Sequence, residues 1–293
     1  MLYVMGSGHS GSTILGVTLG NCRGMFYAGE LQNFLTRSGI PAVGGVERTR
    51  FWRRVRNEAP DAQELFGYGS HRVMERSGAV LRPHTWAARR SLRARYRRVT
   101  RDVAAAVASV AEAEYVVDTS HFPLRAAELQ AIDGIDLSLI FLVREPEPVV
   151  VSIGRLINRN DRLEKWRSVL DTNLDLWLTH LLSIRVFRRQ PEAKRLFLRY
   201  EDFIADPEGV LRQILDMCGS TAPIPDLERL STGLTIQGNR LLRQEQVALK
   251  RGAPHGGERN LLTRIMQAPW EPVLSTMRPA AHAAPGEGGH AGA

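Results

Sequence analysis

The chain has few cysteines: Cys22 and Cys218 are the only two among its 293 residues. It therefore lacks the cysteine framework of a small disulfide-rich protein. Their wide separation, and the frequency with which free cysteines are buried, predict two buried thiols rather than a bridge. Runs of about 18 apolar residues are also lacking, which disfavours a membrane-spanning helix. Residues 1–5 carry no basic segment and no cleavage site, so we expect no signal peptide and a cytoplasmic location.

Lysine is scarce as well, since Lys165, Lys194 and Lys250 are the only three. Arginine supplies nearly all of the cations behind the net charge of +8, which favours an anionic partner without identifying it. Fifteen arginines and only four acids lie between Arg48 and Arg101. This segment is either a nucleic-acid arm or a solvated basic helical face. We favour the solvated face and expect no nucleic-acid partner, because aromatic residues are not interleaved there.

Short apolar runs alternate with helix-length segments along much of the chain. Strands are predicted at residues 2–5, 114–118, 137–143 and 195–199, and helices at 10–20, 85–113, 122–132, 163–188 and 207–218. This alternation predicts an α/β fold with a mostly parallel central sheet and helices on both faces. We expect one domain over 1–278, containing an Arg-rich helical insertion or lid at 39–100, and a disordered tail at 279–293.

A glycine-rich loop follows the first predicted strand, with the sequence Gly6-Ser7-Gly8-His9-Ser10-Gly11-Ser12-Thr13. It nearly matches the triphosphate-binding loop, but Ser12 occupies the lysine position. Triphosphate chemistry is disfavoured without that lysine, because the lysine neutralises the β- and γ-phosphates. Backbone amides and the start of a helix still favour a smaller anion. Taken alone, the loop is also compatible with a glycine turn that binds nothing.

Arg144 directly follows the clearest predicted strand, at 137–143. Ligands of open α/β sheets bind at the carboxyl ends of the strands. Ser152 lies eight residues further on, about one turn inside the next predicted helix and near enough to share an anion with Arg144. An arginine fork and a hydroxyl suit a phosphate monoester. The alternative for Arg144 alone is a surface ion pair with Glu145 or Glu147.

The loop resembles the 5′-phosphosulfate loop of the sulfotransferases that depend on PAPS (3′-phosphoadenosine 5′-phosphosulfate), and the Arg144–Ser152 spacing is similar to their 3′-phosphate motif. The segment 198–203 with Asp206-Pro207, and Gly238-Asn239-Arg240, also resemble family segments. The likeness covers 1 to about 245, apart from 39–100. It implies a P-loop-like three-layer fold and sulfuryl transfer from PAPS to an acceptor hydroxyl without a metal. The PAPS-binding residues it implies are Gly8, His9, Ser10, Gly11, Ser12, Thr13, Arg144, Ser152, Gly238, Asn239 and Arg240.

The acceptor hydroxyl needs a general base, and Glu30 is our candidate. It follows a short segment that returns the chain to the mouth of the loop, similar to the glutamate of the family's carboxylate-using branch. The alternatives are a helix-capping role for Glu30 near Asn33, and His121 as the base. His9 and His121 stand where relatives often carry a cation, so the resemblance also implies that they stabilise the leaving phosphate or the transferring sulfate.

Two other functions are compatible with the sequence. A P-loop kinase or nucleotide hydrolase predicts dependence on Mg²⁺. A non-catalytic module that binds nucleic acid or anionic lipid through Arg48–Arg101 predicts steep salt dependence. For a sulfotransferase, the favoured acceptor is a hydroxyl of a sugar, lipid or secondary metabolite, and the sequence does not identify it or the oligomeric state. We expect residues 39–100 and the helix at 155–185 to form the acceptor pocket, with Asn158, Arg159 and Arg162 able to reach the substrate.

Overall fold

The computed structural model describes residues 1–67, 69–156, 162–250 and 260–277, with the backbone alone at 155–156 and 162–166. Asn158, Arg159 and the predicted tail at 279–293 therefore lie outside the described residues, as does the side chain of Arg162.

Within the described residues, five strands form one parallel sheet in the order β2-β3-β1-β4-β5. They are β1 Leu2–Gly6, β2 Met25–Gly29, β3 Tyr115–His121, β4 Ser138–Val143 and β5 Arg195–Arg199. The predicted α/β class and the four predicted strands are confirmed. β2, which had no clear signal in the sequence, joins them beside β3. A separate two-stranded antiparallel pair is formed by β6 Leu230–Ser231 and β7 Gln246–Val247.

Helices surround the sheet. They are α1 Ser12–Gly20, α2 Asn33–Thr36, α3 Val46–Glu58, α4 Ser70–Met74, α5 Trp86–Ala111, α6 Pro123–Leu129, α7 Pro146–Leu156, α8 Arg162–Arg189, α9 Tyr200–Ala205, α10 Pro207–Cys218, α11 Leu261–Gln267 and α12 Trp270–Ser275. Short 3₁₀ turns lie at Pro60–Leu65, Ser77–Leu81, Pro83–Thr85, Glu192–Lys194 and Arg240–Arg243. Asp206 caps α10 by accepting from the Gly209 N–H at 2.9 Å. In the described part of the chain, no helix is long and apolar enough to cross a bilayer.

Helices cover both faces of the sheet, and alternate residues of each strand point to opposite faces. From β1, Leu2 and Val4 join the cluster with α1 and α10, whereas Tyr3 and Met5 join the cluster with α6 and α8. Burying each such side chain contributes about 1.5–3 kcal/mol relative to exposing it. Both cysteines lie buried and unbridged, as predicted.

The apolar residues whose spacing predicts α8 lie on its outer face. Leu170, Leu174, Trp177 and Leu181 are 43%, 54%, 37% and 58% exposed, while Asn173 on the inner face is fully buried. The helix itself agrees with the prediction. A second apolar set, Leu176, Ile184 and Phe187, is buried against the core, so α8 carries apolar residues on both its outer and its inner face.

Most arginines of segment 48–101 are exposed, as expected for a solvated face, but three of them share one buried acid. Arg89, Arg93 and Arg97 of α5 converge on the Glu128 carboxylate at 2.7, 3.3 and 2.8 Å, and the Glu128 side chain is only 4% exposed. Acids distant in sequence therefore neutralise part of this segment internally, which a count of local charges does not reveal.

Candidate active site

The glycine loop leaves the carboxyl end of β1, where the sheet order reverses between β3 and β4. Gly6 and Gly11 have φ angles of 152° and 93°, a region that favours glycine. A Cβ on Gly6 would overlap the Leu142 carbonyl oxygen, and one on Gly11 would overlap the Tyr200 ring. Both glycines are therefore required by local packing as well as by backbone conformation.

The start of α1 is open to an anion, because no side chain of the described residues caps it. Ser10 is 1% exposed, and its Oγ has no hydrogen-bond partner in the described part of the chain. The Arg144 Nε is likewise buried and without a partner there. Buried donors of this kind are nearly always paired in folded proteins, so these two fit a bound anion.

Arg144 and Ser152 both contact His9. Arg144 Nη1 donates to the His9 carbonyl oxygen at 3.2 Å, and Ser152 Oγ lies 3.0 Å from His9 Nδ1. Since α7 begins at Pro146, Ser152 lies nearly two turns inside it, rather than the predicted one. The structure thus brings the two predicted phosphate motifs together at one residue of the loop.

Tyr200 is a site residue that sequence reasoning missed. Its ring centroid lies 4.6 Å from the Arg144 guanidinium carbon, and the ring also packs against Gly11. This contact fixes the arginine beside the loop and is worth about 0.5–2 kcal/mol. The signal was present, because Tyr200 lies in the segment 198–203 that resembles the family.

The two histidines of the site are neutral near pH 7. Burial and the neighbouring Arg144 lower the pKa of His9, although its side chain keeps an exposed edge. Burial lowers the pKa of His121 to about 4, partly opposed by a hydrogen bond to the Thr119 backbone. His121 Nε2 lies beside Gly8, 3.9 Å from where a Cβ on that glycine would be. An imidazolium role for His9 is therefore disfavoured.

Glu30 follows β2 and is held on both sides. Its N–H donates to the Gln237 carbonyl at 2.8 Å, and its Oε2 accepts from Asn33 Nδ2 at 3.0 Å. Burial raises its pKa, with the Asn33 hydrogen bond opposing the change and Asp118 adding to it. The bond to Asn33 joins two side chains, so it is not the helix-capping contact considered from sequence. It leaves Oε1 as the other oxygen of a carboxylate made more basic by burial.

A buried polar network fixes the backbone after Glu30. Asp118 Oδ1 accepts from the Leu31 N–H at 3.2 Å, and Ser120 Oγ accepts from the Gln32 N–H at 3.0 Å. Arg125 pairs with the other oxygen of Asp118 at 3.0 Å. Sequence reasoning singled out His121 in this segment and missed Asp118 and Ser120, whose partners only the parallel pairing of β2 with β3 brings near.

This network extends into the Arg-rich insertion. Arg125 also contacts Glu75 at 3.2 Å and the Tyr96 hydroxyl at 2.8 Å, and Tyr96 donates to Glu75. All of these side chains are almost fully buried. The insertion is thus joined to the backbone beside Glu30 through paired charges, which are costly to break one at a time.

The late segment approaches the loop through Gly238. A Cβ on Gly238 would lie 3.6 Å from Thr13 and would overlap Leu242. Asn239 instead caps the following 3₁₀ turn by accepting from the Leu241 N–H at 2.8 Å, and Arg240 is exposed. Of the three predicted residues, Gly238 is the one the structure brings against the loop.

A family model described as "Sulfotransferase family" matches residues 2–223. No curated protein sequence matches the chain. The chain is similar in structure to the sulfotransferase domain from the curacin biosynthetic pathway, with a TM-score of 0.53 and 15% identity, covering 95% of this chain and 98% of that one.

Two further solved structures are similar to a lesser degree. The sulfotransferase domain from the Synechococcus PCC 7002 olefin synthase has a TM-score of 0.44 and 20% identity, over 75% of this chain and 73% of that one. A sulfotransferase from Mycobacterium tuberculosis has a TM-score of 0.47 and 18% identity, over 75% of this chain and 67% of that one. At these identities the solved structures bear on the fold alone, and the argument for it rests on the curacin-pathway domain.

Proposed function

Because the chain belongs to the sulfotransferase family, we propose that it transfers the sulfuryl group of PAPS to an acceptor hydroxyl, with Glu30 as the general base. The observation that carries this proposal is the meeting of two anion-binding motifs at His9, where Arg144 and Ser152 contact the glycine loop. Two such motifs suit a donor that carries both a 5′-phosphosulfate and a 3′-phosphate.

The residues that surround the loop fit this donor. Ser10 Oγ and Arg144 Nε are buried donors that a phosphate would satisfy. In this proposal the donor is bound by the loop from Gly8 to Thr13, by Arg144 with Ser152, and by the segment at Gly238. PAPS supplies, when bound, an activated sulfuryl group.

Glu30 takes the proton of the acceptor hydroxyl at Oε1, while Asn33 holds Oε2. A base works best when its pKa approaches the working pH. Burial moves the pKa of Glu30 upward and that of His121 down to about 4, which favours Glu30 over His121 as the proton acceptor. Ser152 Oγ lies 3.0 Å from His9 Nδ1. In this proposal Ser152 donates to Nδ1, so that Nε2 carries the proton and donates it to the anion of PAPS.

The acceptor class and the location follow from the same proposal. We infer a hydroxyl of a sugar, lipid or secondary metabolite, in a cytoplasmic setting. The helical insertion at 39–100 covers this acceptor, and the Glu75–Arg125 pair couples that covering segment to the backbone beside Glu30.

The test is the variant Glu30→Gln, assayed by release of adenosine 3′,5′-bisphosphate from PAPS with a panel of hydroxyl acceptors. We expect turnover to fall by about 10²–10⁴-fold, because the variant cannot accept the proton. Binding of the bisphosphate, measured calorimetrically, stays within about twofold, since the proposal assigns Glu30 to the acceptor and not to the donor. Glu64→Gln on the insertion is the matched control and keeps wild-type rates.

Wild-type turnover in Glu30→Gln would assign the base to another residue. The donor is tested separately by thermal shift of the wild-type protein. Adenosine 3′,5′-bisphosphate raises the melting temperature, whereas ATP with Mg²⁺ does not. Stabilisation by ATP with Mg²⁺ alone would instead support the kinase or hydrolase function.

A further inference from the structure

The outer face of α8 is an exposed apolar surface. Leu170, Leu174 and Leu181 lie on this side of the helix, because residues three, four or eleven positions apart share a face, and all three are exposed. Trp177 lies at the margin of the same face and is partly exposed. The inner face of α8 has its own apolar residues, so packing of the core does not account for the outer set.

Helix α11 lies beside this face and adds to it. Trp177 Nε1 donates to the Met266 carbonyl at 2.7 Å, which fixes α11 alongside α8. Two further exposed apolar residues, Leu261 and Ile265, lie on α11. Six of the ten exposed large apolar side chains in the described part of the chain are therefore on these two helices. Such a concentration is typical of an interaction surface, whereas single exposed apolar residues are ordinary.

The charged residues of the outer face are separated by sign. Asp171 lies towards the start of the leucine set, and Arg185 and Arg188 follow its end, all three exposed. In the described part of the chain, none of these three side chains makes an ion pair. A second copy with α8 reversed would bring acid to base at both ends, whereas a parallel copy would oppose like charges. The face is therefore complementary to itself in one orientation.

We propose that the outer face of α8 binds a second copy of this chain, in an antiparallel pair with twofold symmetry. With the symmetry axis near Leu178, Leu174 comes opposite the partner's Leu181, and Asp171 comes opposite the partner's Arg185. Each contact occurs twice in such a pair. The antiparallel arrangement also sets the dipoles of the two helices in opposite directions, which is favourable.

The position of Asp171 favours a second copy over an anionic membrane as the occupant. Asp171 lies next to the leucines, and the negative surface of a membrane would repel it. In the antiparallel pair, it instead meets an arginine. Arg167 and Arg189 come opposite each other in this pair, but they lie at the ends of the face, where both are exposed and salt screens them.

The size of the face determines the strength of association that we expect. Specific interfaces bury about 800 Å² per partner. Helix α8 has 28 residues, so it is about 40 Å long and about 10 Å wide and offers about half of this area. The apolar residues of α11 add to it. We therefore expect a reversible dimer with a dissociation constant of about 10–100 μM.

The test is sedimentation velocity of the full chain from about 1 to 200 μM, a range that brackets this constant. Leu174→Glu weakens the association by about 100-fold, because the dimer then buries two unpaired carboxylates. Ile40→Glu is the matched control, since Ile40 is 56% exposed and Leu174 is 54% exposed, and Ile40 lies on neither α8 nor α11. It keeps the wild-type dissociation constant.

Reversal of the charges tests the orientation. Asp171→Arg sets two arginines opposite each other at both ends of the face and weakens the dimer about tenfold. Arg185→Asp has a similar effect through two acids. The variant with both changes restores the pairs with exchanged signs, and its dissociation constant returns to within about threefold of wild type. Far-UV circular dichroism spectra that match wild type show that the variants are folded.

A monomer at every concentration, or a wild-type dissociation constant in Leu174→Glu, would overturn the proposal. Failure of the doubly reversed variant to recover would overturn the antiparallel pairing on which it rests. Cosedimentation of a monomeric protein with phosphatidylglycerol vesicles would assign the face to a membrane instead. These measurements involve neither PAPS nor turnover, so their outcome is independent of the proposed activity.

Discussion

Helix α5 and the carboxyl ends of β4 and β5 (the β4–β5 edge) differ in whether the donors of their arginines are paired. On α5, cations are abundant but paired, as with Arg89 and Arg97 on the buried Glu128. At the β4–β5 edge, cations are few, yet Arg144 retains an unpartnered Nε and a stacked, fixed position. We therefore expect an anion to bind at Arg144, whose position is fixed and whose Nε is unpaired, rather than at the more numerous arginines of α5.

The largest effect is expected on α5, from Glu128→Ala. Three arginines lose their buried acid, and removal of one member of a buried charge cluster typically costs about 3–5 kcal/mol. We expect about 3 kcal/mol in the free energy of unfolding by urea, because the arginines are partly hydrated. The control Glu64→Ala, whose partners Arg95 and Arg98 are exposed, loses less than about 1 kcal/mol. Equal losses would remove the distinction between the two kinds of pair.

The next effect is expected at the β4–β5 edge, from Arg144→Ala. Affinity for adenosine 3′,5′-bisphosphate falls about 100-fold, because charged hydrogen bonds to the phosphate are lost. Arg97→Ala, which removes a cation from α5, leaves this affinity unchanged while lowering stability. Calorimetric titration of both variants tests the comparison directly. A similar loss of affinity in Arg97→Ala would mean that the arginines of α5 also contribute to anion binding.

The smallest effect concerns pH and His180, which is buried near the β4–β5 edge. Its pKa is about 4 in the folded protein and about 6.5 when unfolded, so the unfolded chain binds the extra proton between these values. The stability from the neutral ring is present above pH 6.5 and is lost as pH falls towards 4. Between pH 7 and 4.5, wild type should lose about 2 kcal/mol more than His180→Gln in urea unfolding. Parallel pH profiles would contradict the assignment.

Much of the fold was predictable because its signals are local. The β4 run and the Asp206-Pro207 cap each specify an element within a few residues. The loop and Arg144 were predictable as site components, since a glycine pattern and a charge after a buried strand are visible in sequence. Their meeting at His9 was not, because it depends on how α7 packs across the mouth of the loop.

The contacts of Glu128 and Asp118 could not be predicted for the same physical reason, which is that each pairs with residues far away in the sequence. Glu128 lies 31 to 39 residues from the arginines it neutralises, and Asp118 lies 87 residues from the Leu31 N–H it holds. The exposed apolar face of α8 could not be predicted for a different reason. Spacing shows that Leu170 and Leu174 share a face, but Leu176, Ile184 and Phe187 form a second apolar set, so spacing alone does not determine which face is buried.

The Glu75–Arg125–Asp118 chain has a consequence for engineering the protein. The insertion that contains Glu75 cannot be exchanged as a free module, because Arg125 would keep Asp118 but lose its second acid. A chimera that imports another covering segment must bring an acid to this position, or replace Arg125 at the same time. Under the proposed function, the segment that covers the acceptor and the backbone beside Glu30 are therefore coupled through Arg125.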